Sequence, residues 1–253
     1  SELGSEINSL ENLTREMSDQ TQGNRLIDLA LNAVELIDRN LYERTCDVRW
    51  WATDSAMVNA ALDQSFQNCD FASQRLGVIL DAYTVYIDLW LCDLDGNIIA
   101  NGRPNQFNII GKNISNRAWF RKATNLRSGN DFAVDNVSIE PFLNNRQVAS
   151  YATGVREIGD ANGKLLGVLG IHFDWQPQAE AIVQGVRLSP EEAQKTIVML
   201  VDNDGMVIAA SNGEGVLKSK INLETKGLNF GYYHPKSGGT VAFHKTPGYE
   251  TYE

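Results

Sequence analysis

The pattern that most restricts the fold of this chain occurs twice. Residues 86–102 read YIDLWLCDLDGNIIANG, and residues 196–211 read TIVMLVDNDGMVIAAS. An offset of 109 residues (Gly96 to Gly205) brings Asp93 onto Asp202, Asp95 onto Asp204, Ile99 onto Ile208 and Ala100 onto Ala209. In the first copy Tyr86, Asp88, Trp90 and Cys92 alternate with Ile87, Leu89 and Leu91, the period of a strand. Asp95-Gly96 supplies the positive φ that a tight hairpin needs, and Ile98-Ile99 resume the sheet. A repeat of that length predicts two copies of one small α/β module, because solenoid periods are shorter.

With 253 residues the chain is long enough for one or two domains with a real core. Its net charge of −10 and pI near 4.8, with no basic stripe, exclude nucleic acid as a partner. No run of 18 apolar residues predicts a transmembrane helix, and the start lacks a signal-peptide pattern. The three cysteines, Cys46, Cys69 and Cys92, have no metal-like spacing. An antiparallel turn between helices would bring Cys46 and Cys69 within reach of a disulfide, leaving Cys92 as a buried strand thiol.

From Asn24 to Gln74 there is neither glycine nor proline, and Leu26, Ala30, Ala33, Ile37 and Leu41 form one apolar stripe at helical spacing. This predicts a long helix over most of residues 6–62, loosened near Gly23, followed by a second helix capped by Asp70 and running through Leu80. Beyond the first hairpin, Ser115 is the expected cap of a short helix carrying Arg117, Trp119, Phe120 and Ala123. Three strands are expected at Phe132–Ile139, Val148–Val155 and Leu165–Trp175, all with helices on one side of the sheet. Gln176–Leu188 reads as a helix, and Ser189-Pro190-Glu191-Glu192 as a capping box with proline at the first helical position. The second copy, after Thr196, is smaller. It reaches Tyr249–Glu253 without a final strand, as if cut from a longer chain.

Several constellations bear on chemistry. Asp93-Leu94-Asp95-Gly96 and Asp202-Asn203-Asp204-Gly205 open like calcium loops but lack the closing glutamate, so hairpin turns account for both and no metal is expected. His172 and Asp174 alternate on one strand and point from one face. Arg117, Trp119 and Phe120 combine a carboxylate-gripping guanidinium with aromatic walls, or else seat their helix on the sheet. Arg49-Trp50-Trp51 reads as a packing clamp. No nucleophile elbow, phosphate loop or HExxH motif is present, and no enzyme or cofactor is expected.

Together, CDVRWWATD at 46–54, WLCDLDGNIIANG at 90–102, RAWFRKA at 117–123, GVLGIHFDW at 167–175 and LVDNDGMVIAAS at 200–211 resemble the double Cache sensor domain of bacterial chemoreceptors and sensor kinases. The resemblance implies an α+β fold in which a long N-terminal stalk helix carries two PAS-like antiparallel-sheet modules. It implies stalk and packing helices over 1–80, a membrane-distal ligand-binding module over 81–188 and a membrane-proximal, truncated module over 189–253. It also implies a periplasmic position, flanking transmembrane helices absent from this chain, and a homodimer in the full receptor.

Many members of that family bind amino acids through an arginine, a tryptophan two residues on and an aromatic after it, matched here by Arg117, Trp119 and Phe120. Here Lys112 stands where the family has a tyrosine. His172 replaces the ammonium-binding aspartate, with Asp174 nearby and Asp135 in the place of another acid. The expected site is therefore Trp90, Arg117, Trp119, Phe120, Asp135, Tyr151, His172 and Asp174, taking an amino acid, amine, small carboxylate or purine. The output would be chemotaxis signalling, with a kinase or cyclase as alternatives. Two rivals are an enzyme built on Asp135, His172 and Asp174, and a ligand-free module that senses a partner protein.

Overall fold

The computed structural model describes residues 2–250. Helix α1 covers Glu2–Trp51 without a break at Gly23. It stops short of the expected end because Asp54 takes an extended conformation, accepts a hydrogen bond from the Ala56 N–H and starts α2, Ser55–Leu62. Ser65, not Asp70, caps α3, Phe66–Ala82, its hydroxyl accepting from the Asn68 N–H. Asp70 lies inside that helix and accepts from Gln74. All three cysteines are free thiols, so the Cys46–Cys69 disulfide is not formed.

The chain divides into two compact units, one of residues 41–179 and one of residues 1–40 with 180–253. The division falls within α1, and the C-terminal part of α1, α2 and α3 belong with the first sheet. That sheet is antiparallel, in the order β2-β1-β6-β5-β3, with β4 also paired to β5. Its strands are β1 Tyr86–Asp93, β2 Ile98–Asn101, β3 Ala133–Val134, β4 Ser138–Glu140, β5 Arg146–Arg156 and β6 Leu165–Asp174. The expected strand at 132–139 is split in two.

Strand alternation gives the sheet two faces, and helices cover both, where the sequence suggested one. On the first face, Trp90 of β1, Gly170 and His172 of β6 and Ser150 and Ala152 of β5 lie in register beneath α4, Ala118–Thr124. The buried cluster there includes Trp90, Ile98, Ile114, Trp119, Phe120 and Leu143. On the other face, Arg44 of α1 lies over the rings of Tyr86 and Phe173, and Trp51 meets Tyr83 and Tyr86 edge-on. Trp51 is thus the clamp that the sequence suggested, whereas Trp50 is exposed.

Helix α5, Trp175–Gln184, carries the chain across the division at residue 179, and in the second unit α6 is Pro190–Lys195. The predicted capping box is present: Ser189 Oγ accepts from the Glu192 N–H, and Glu192 accepts from the Ser189 N–H. Glu192 also takes two hydrogen bonds from Arg25 of α1. Strands β7 Met199–Val201 and β8 Val207–Ala210 form one hairpin, and β9 Phe230–Tyr233 and β10 Val241–His244 another. The repeat is exact in its turns. Asp93 Oδ1 accepts from the amides of Asp95 and Asn97, and Asp202 Oδ1 from those of Asp204 and Met206. Gly96 and Gly205 follow at φ +88° and +82°. Residues 251–253, part of the expected strandless end, lie outside the described residues.

Within this unit Gly23 explains itself. A Cβ there would lie 2.5 Å from the ring of Tyr232, so the bare backbone of α1 is what the tyrosine packs on. Alanine in a helix interior is otherwise favoured over glycine by about 1 kcal/mol. Gly23→Ala is therefore expected to lower stability in the wild type but raise it by about 1 kcal/mol in a Tyr232→Ala background. Urea unfolding of the four chains of this cycle checks the reversal of sign.

Candidate functional site

The α4 face is built around three rings packed at steep angles to one another. Glycine at 170 is required for this: a Cβ there would lie 2.8 Å from the Trp119 indole, which rests on the bare β6 backbone. Trp119 then stands 5.5 Å from His172 and 6.2 Å from Trp90, centroid to centroid, and Trp90 is 3.9 Å from His172. All three are buried. Phe120 meets Trp119 edge-on from the same helix. These four predicted residues are thus brought together.

His172 is the least satisfied group of the set. Its Nδ1 lies 2.9 Å from Ser150 Oγ, while Nε2 is buried without a hydrogen-bond partner. Burial, and secondarily the Arg117 charge, push its pKa down to about 3, so the imidazole is neutral at physiological pH.

Arg117 occupies the N-cap position of α4, the place expected of Ser115, which instead bonds to Asn113. Its fork is filled: Nε lies 2.7 Å and Nη2 3.1 Å from the two carboxylate oxygens of Glu140. The guanidinium also sits 4.9 Å over the ring of Phe142, which in turn lies 6.5 Å from Trp90. Glu140 and Phe142 arrive on the segment after β4, a 3-10 turn at Pro141–Leu143 that ends in two left-handed asparagines, Asn144 and Asn145.

The remaining predicted residues are placed less centrally. Asp174 shares a face with His172 but is held by Arg146, 2.6 Å away. Asp135 is 3.9 Å from Lys122 of α4. Tyr151 pairs with Ile171, not His172, and so points to the opposite face, where its ring meets Phe132. The alternation of β5 explains it: only even-numbered residues there share the face of Ser150.

Sequence reasoning missed Asp88, Asn101 and Glu140. Asp88 is fully buried and accepts from the amides of Leu89, Gly102 and Arg103, from Trp90 Nε1 and from Asn101 Nδ2. A signal was available. At the repeat offset, Asp88, Trp90 and Asn101 face Ile197, Met199 and Ala210, so the copies diverge where the first builds its polar face. Two open clefts, of about 380 and 450 Å³, lie elsewhere, one by Arg49, Trp50 and Arg156 and one by Arg44, Asp47 and Tyr83. Among the described residues, no group of three or more His, Cys, Asp and Glu side chains is placed to hold a metal ion.

The neutral, buried His172 links stability to pH. The unfolded chain binds a proton near pH 6.5 and the folded one only near 3, so this contribution is present above 6.5 and is lost as pH falls. From pH 6.5 to about 4.5 the loss is about 2–3 kcal/mol. The carboxyls of Asp88 and Asp174, raised mainly by burial, act with the opposite sign. The difference in stability between wild type and His172→Gln, followed by denaturant unfolding from pH 7 to 4.5, is expected to shrink by that amount.

No protein-family model matches the chain, and no curated protein matches it. Solved structures do. The sensor domain of the Vibrio cholerae histidine kinase DctB superposes with a TM-score of 0.66 at 20% identity, over 83% of this chain and 74% of that one. The sensory domain of the Campylobacter jejuni chemoreceptor Tlp3 gives 0.66 at 16% identity, over 88% and 87%. The ligand-binding domain of the Pseudomonas fluorescens chemoreceptor CtaA, solved with L-isoleucine, gives 0.64 at 15% identity, over 94% and 92%. The chain has the fold of these sensor and ligand-binding domains, the α+β fold of a long N-terminal helix with antiparallel-sheet modules that its sequence resembles.

Proposed function

We propose that this chain is the extracytoplasmic sensor domain of a transmembrane receptor, and that a small metabolite binds between α4 and the first sheet. The observation that carries the reading is His172 Nε2, an unpartnered polar atom in a fully buried ring, walled by Trp90 and Trp119. A buried polar atom without a partner carries a penalty of about 1–3 kcal/mol, which a ligand able to hydrogen-bond to it would remove. The fold shared with CtaA, bound to L-isoleucine in its own structure, supports small-molecule binding as the role. A chemoreceptor is the first reading of the output, and the fold shared with the DctB kinase supports a kinase as the second.

In this reading residues 81–188 form the membrane-distal, ligand-binding module and residues 189–253 the membrane-proximal one. Binding selects one of two arrangements of the helices, and differential affinity of about 1–3 kcal/mol is enough to bias the signal. No helix among the described residues is long and apolar enough to cross a membrane. The transmembrane helices of the proposed receptor would flank this chain. Homodimerisation is part of the proposal. Ala33 and Ile37 of the apolar stripe are buried within the chain, whereas Ile7, Leu10, Leu13 and Met17 leave α1 with exposed apolar side chains for a partner helix.

A thermal-shift screen with amino acids, amines, organic acids and purines tests the reading. A ligand at one hundred times its dissociation constant adds about 2.7 kcal/mol, a shift of several degrees. The hit is expected to be lost in Trp119→Ala. Silence across the panel favours the partner-sensing alternative, and turnover of a substrate that depends on His172 favours an enzyme.

A further inference from the structure

Resting on the reading that the α4 face receives a ligand, the charges around that face narrow which ligand it takes. Three of its cations already hold acids: Arg117 holds Glu140 with two hydrogen bonds, Arg146 holds Asp174, and Lys122 lies by Asp135. Glu140 is the most buried of these acids, 4% exposed against 21% for its arginine. Its carboxylate is also held without Arg117, because Oε2 accepts from the Phe142 N–H at 2.8 Å. A further cation, Lys112, is exposed and sits on the Phe142 ring. The other acid of the face, Asp88, takes only uncharged donors. An incoming carboxylate would have to expel Glu140 from the Arg117 fork and would also meet the like charge of Asp88, if ionised.

The unfilled hydrogen-bonding capacity is of another kind. Asn101 is fully buried, and its Nδ2 donates to Asp88 Oδ2 and to the Phe107 carbonyl, both at 3.0 Å. Two acceptors fix the amide orientation, so the unpartnered atom is the oxygen, which can only accept. His172 Nε2 is the second unpartnered atom. Across β1 the two residues flank it in register, Asn101 beside Trp90 and His172 beside Asp88. Both are uncharged, and the walls beside them are indoles, which suit a flat or cationic body.

We infer that Glu140 is a specificity-determining residue: by filling the Arg117 fork it turns the site from free carboxylates toward small nitrogenous ligands, uncharged or cationic, that offer an N–H to Asn101 and a flat or apolar body to Trp90 and Trp119.

The test uses matched probes: free amino acids, their carboxamides, the corresponding decarboxylated amines, and uncharged purines. Titration calorimetry is run on the whole chain, wild type and Glu140→Gln. The wild type is expected to bind at least one carboxamide, amine or purine and to bind the matched carboxylate at least about tenfold more weakly. Glu140→Gln, which keeps the shape and frees the guanidinium, is expected to gain about tenfold or more for the carboxylate. Wild-type preference for the carboxylate overturns the inference while leaving the ligand-binding reading intact. So does a Glu140→Gln chain, folded by circular dichroism, that gains nothing. Silence from every probe in both chains overturns the ligand-binding reading beneath it.

Discussion

The α4 face depends on one buried carboxylate. Asp88 gathers five donors from β1, from β2 and from the chain just after it, and so fixes the Trp90 indole, the Asn101 amide and the Gly102-Arg103 backbone around one point. Removing a buried acceptor of that kind would strand several donors, each at about 1–3 kcal/mol. Burial pushes the Asp88 carboxyl up, and its donors pull it down. The same anchor leaves Asn101 with one free acceptor and holds Trp90 against His172. Rigidity and unmet hydrogen bonding therefore have a common origin.

The two repeats show how one module is specialised. Both copies close their hairpin with an aspartate on two backbone amides followed by a left-handed glycine, because the turn needs that chemistry whatever the sheet faces. They part company on the face itself. Where the first places Asp88, Trp90 and Asn101, the second has Ile197, Met199 and Ala210, which have no polar side-chain atoms to anchor or offer. The fold is conserved by its turns, and the site is made by the residues between them.

What the sequence made legible follows the range of the interactions. Turns and the capping box at Ser189 are local, and each appears in the structure as read. The alternation of 86–102 holds along β1 only from Asp88: a bulge between Tyr86 and Asp88 pairs Tyr86 with Phe173 and sends it to the face opposite Trp90. Trp119 and His172 were legible through the arginine-tryptophan-aromatic pattern and the alternation of His172 with Asp174; the structure adds that both pack on Trp90. Tyr151 falls on the opposite face because alternation within β6 does not report the register of β5, where one residue decides the face. Glu140 was invisible for another reason. Its meeting with Arg117 spans 23 residues of helix, loop and short strand, and no periodicity reports such a contact. The helix boundaries at Trp51 and Ser65 moved for the ordinary reason that side-chain caps outrank an unbroken helical composition.

The most direct test of the central claim, a neutral buried imidazole waiting for a ligand, is nitrogen-15 NMR of the histidine side chains. The chain has three histidines, so the resonances are few and single substitutions assign them. The account predicts that His172 stays neutral from pH 7 to about 4.5 and that its Nε2 resonance moves when a bound probe is added. Protonation near the ordinary histidine value, or a bound probe that leaves Nε2 unmoved, would contradict it.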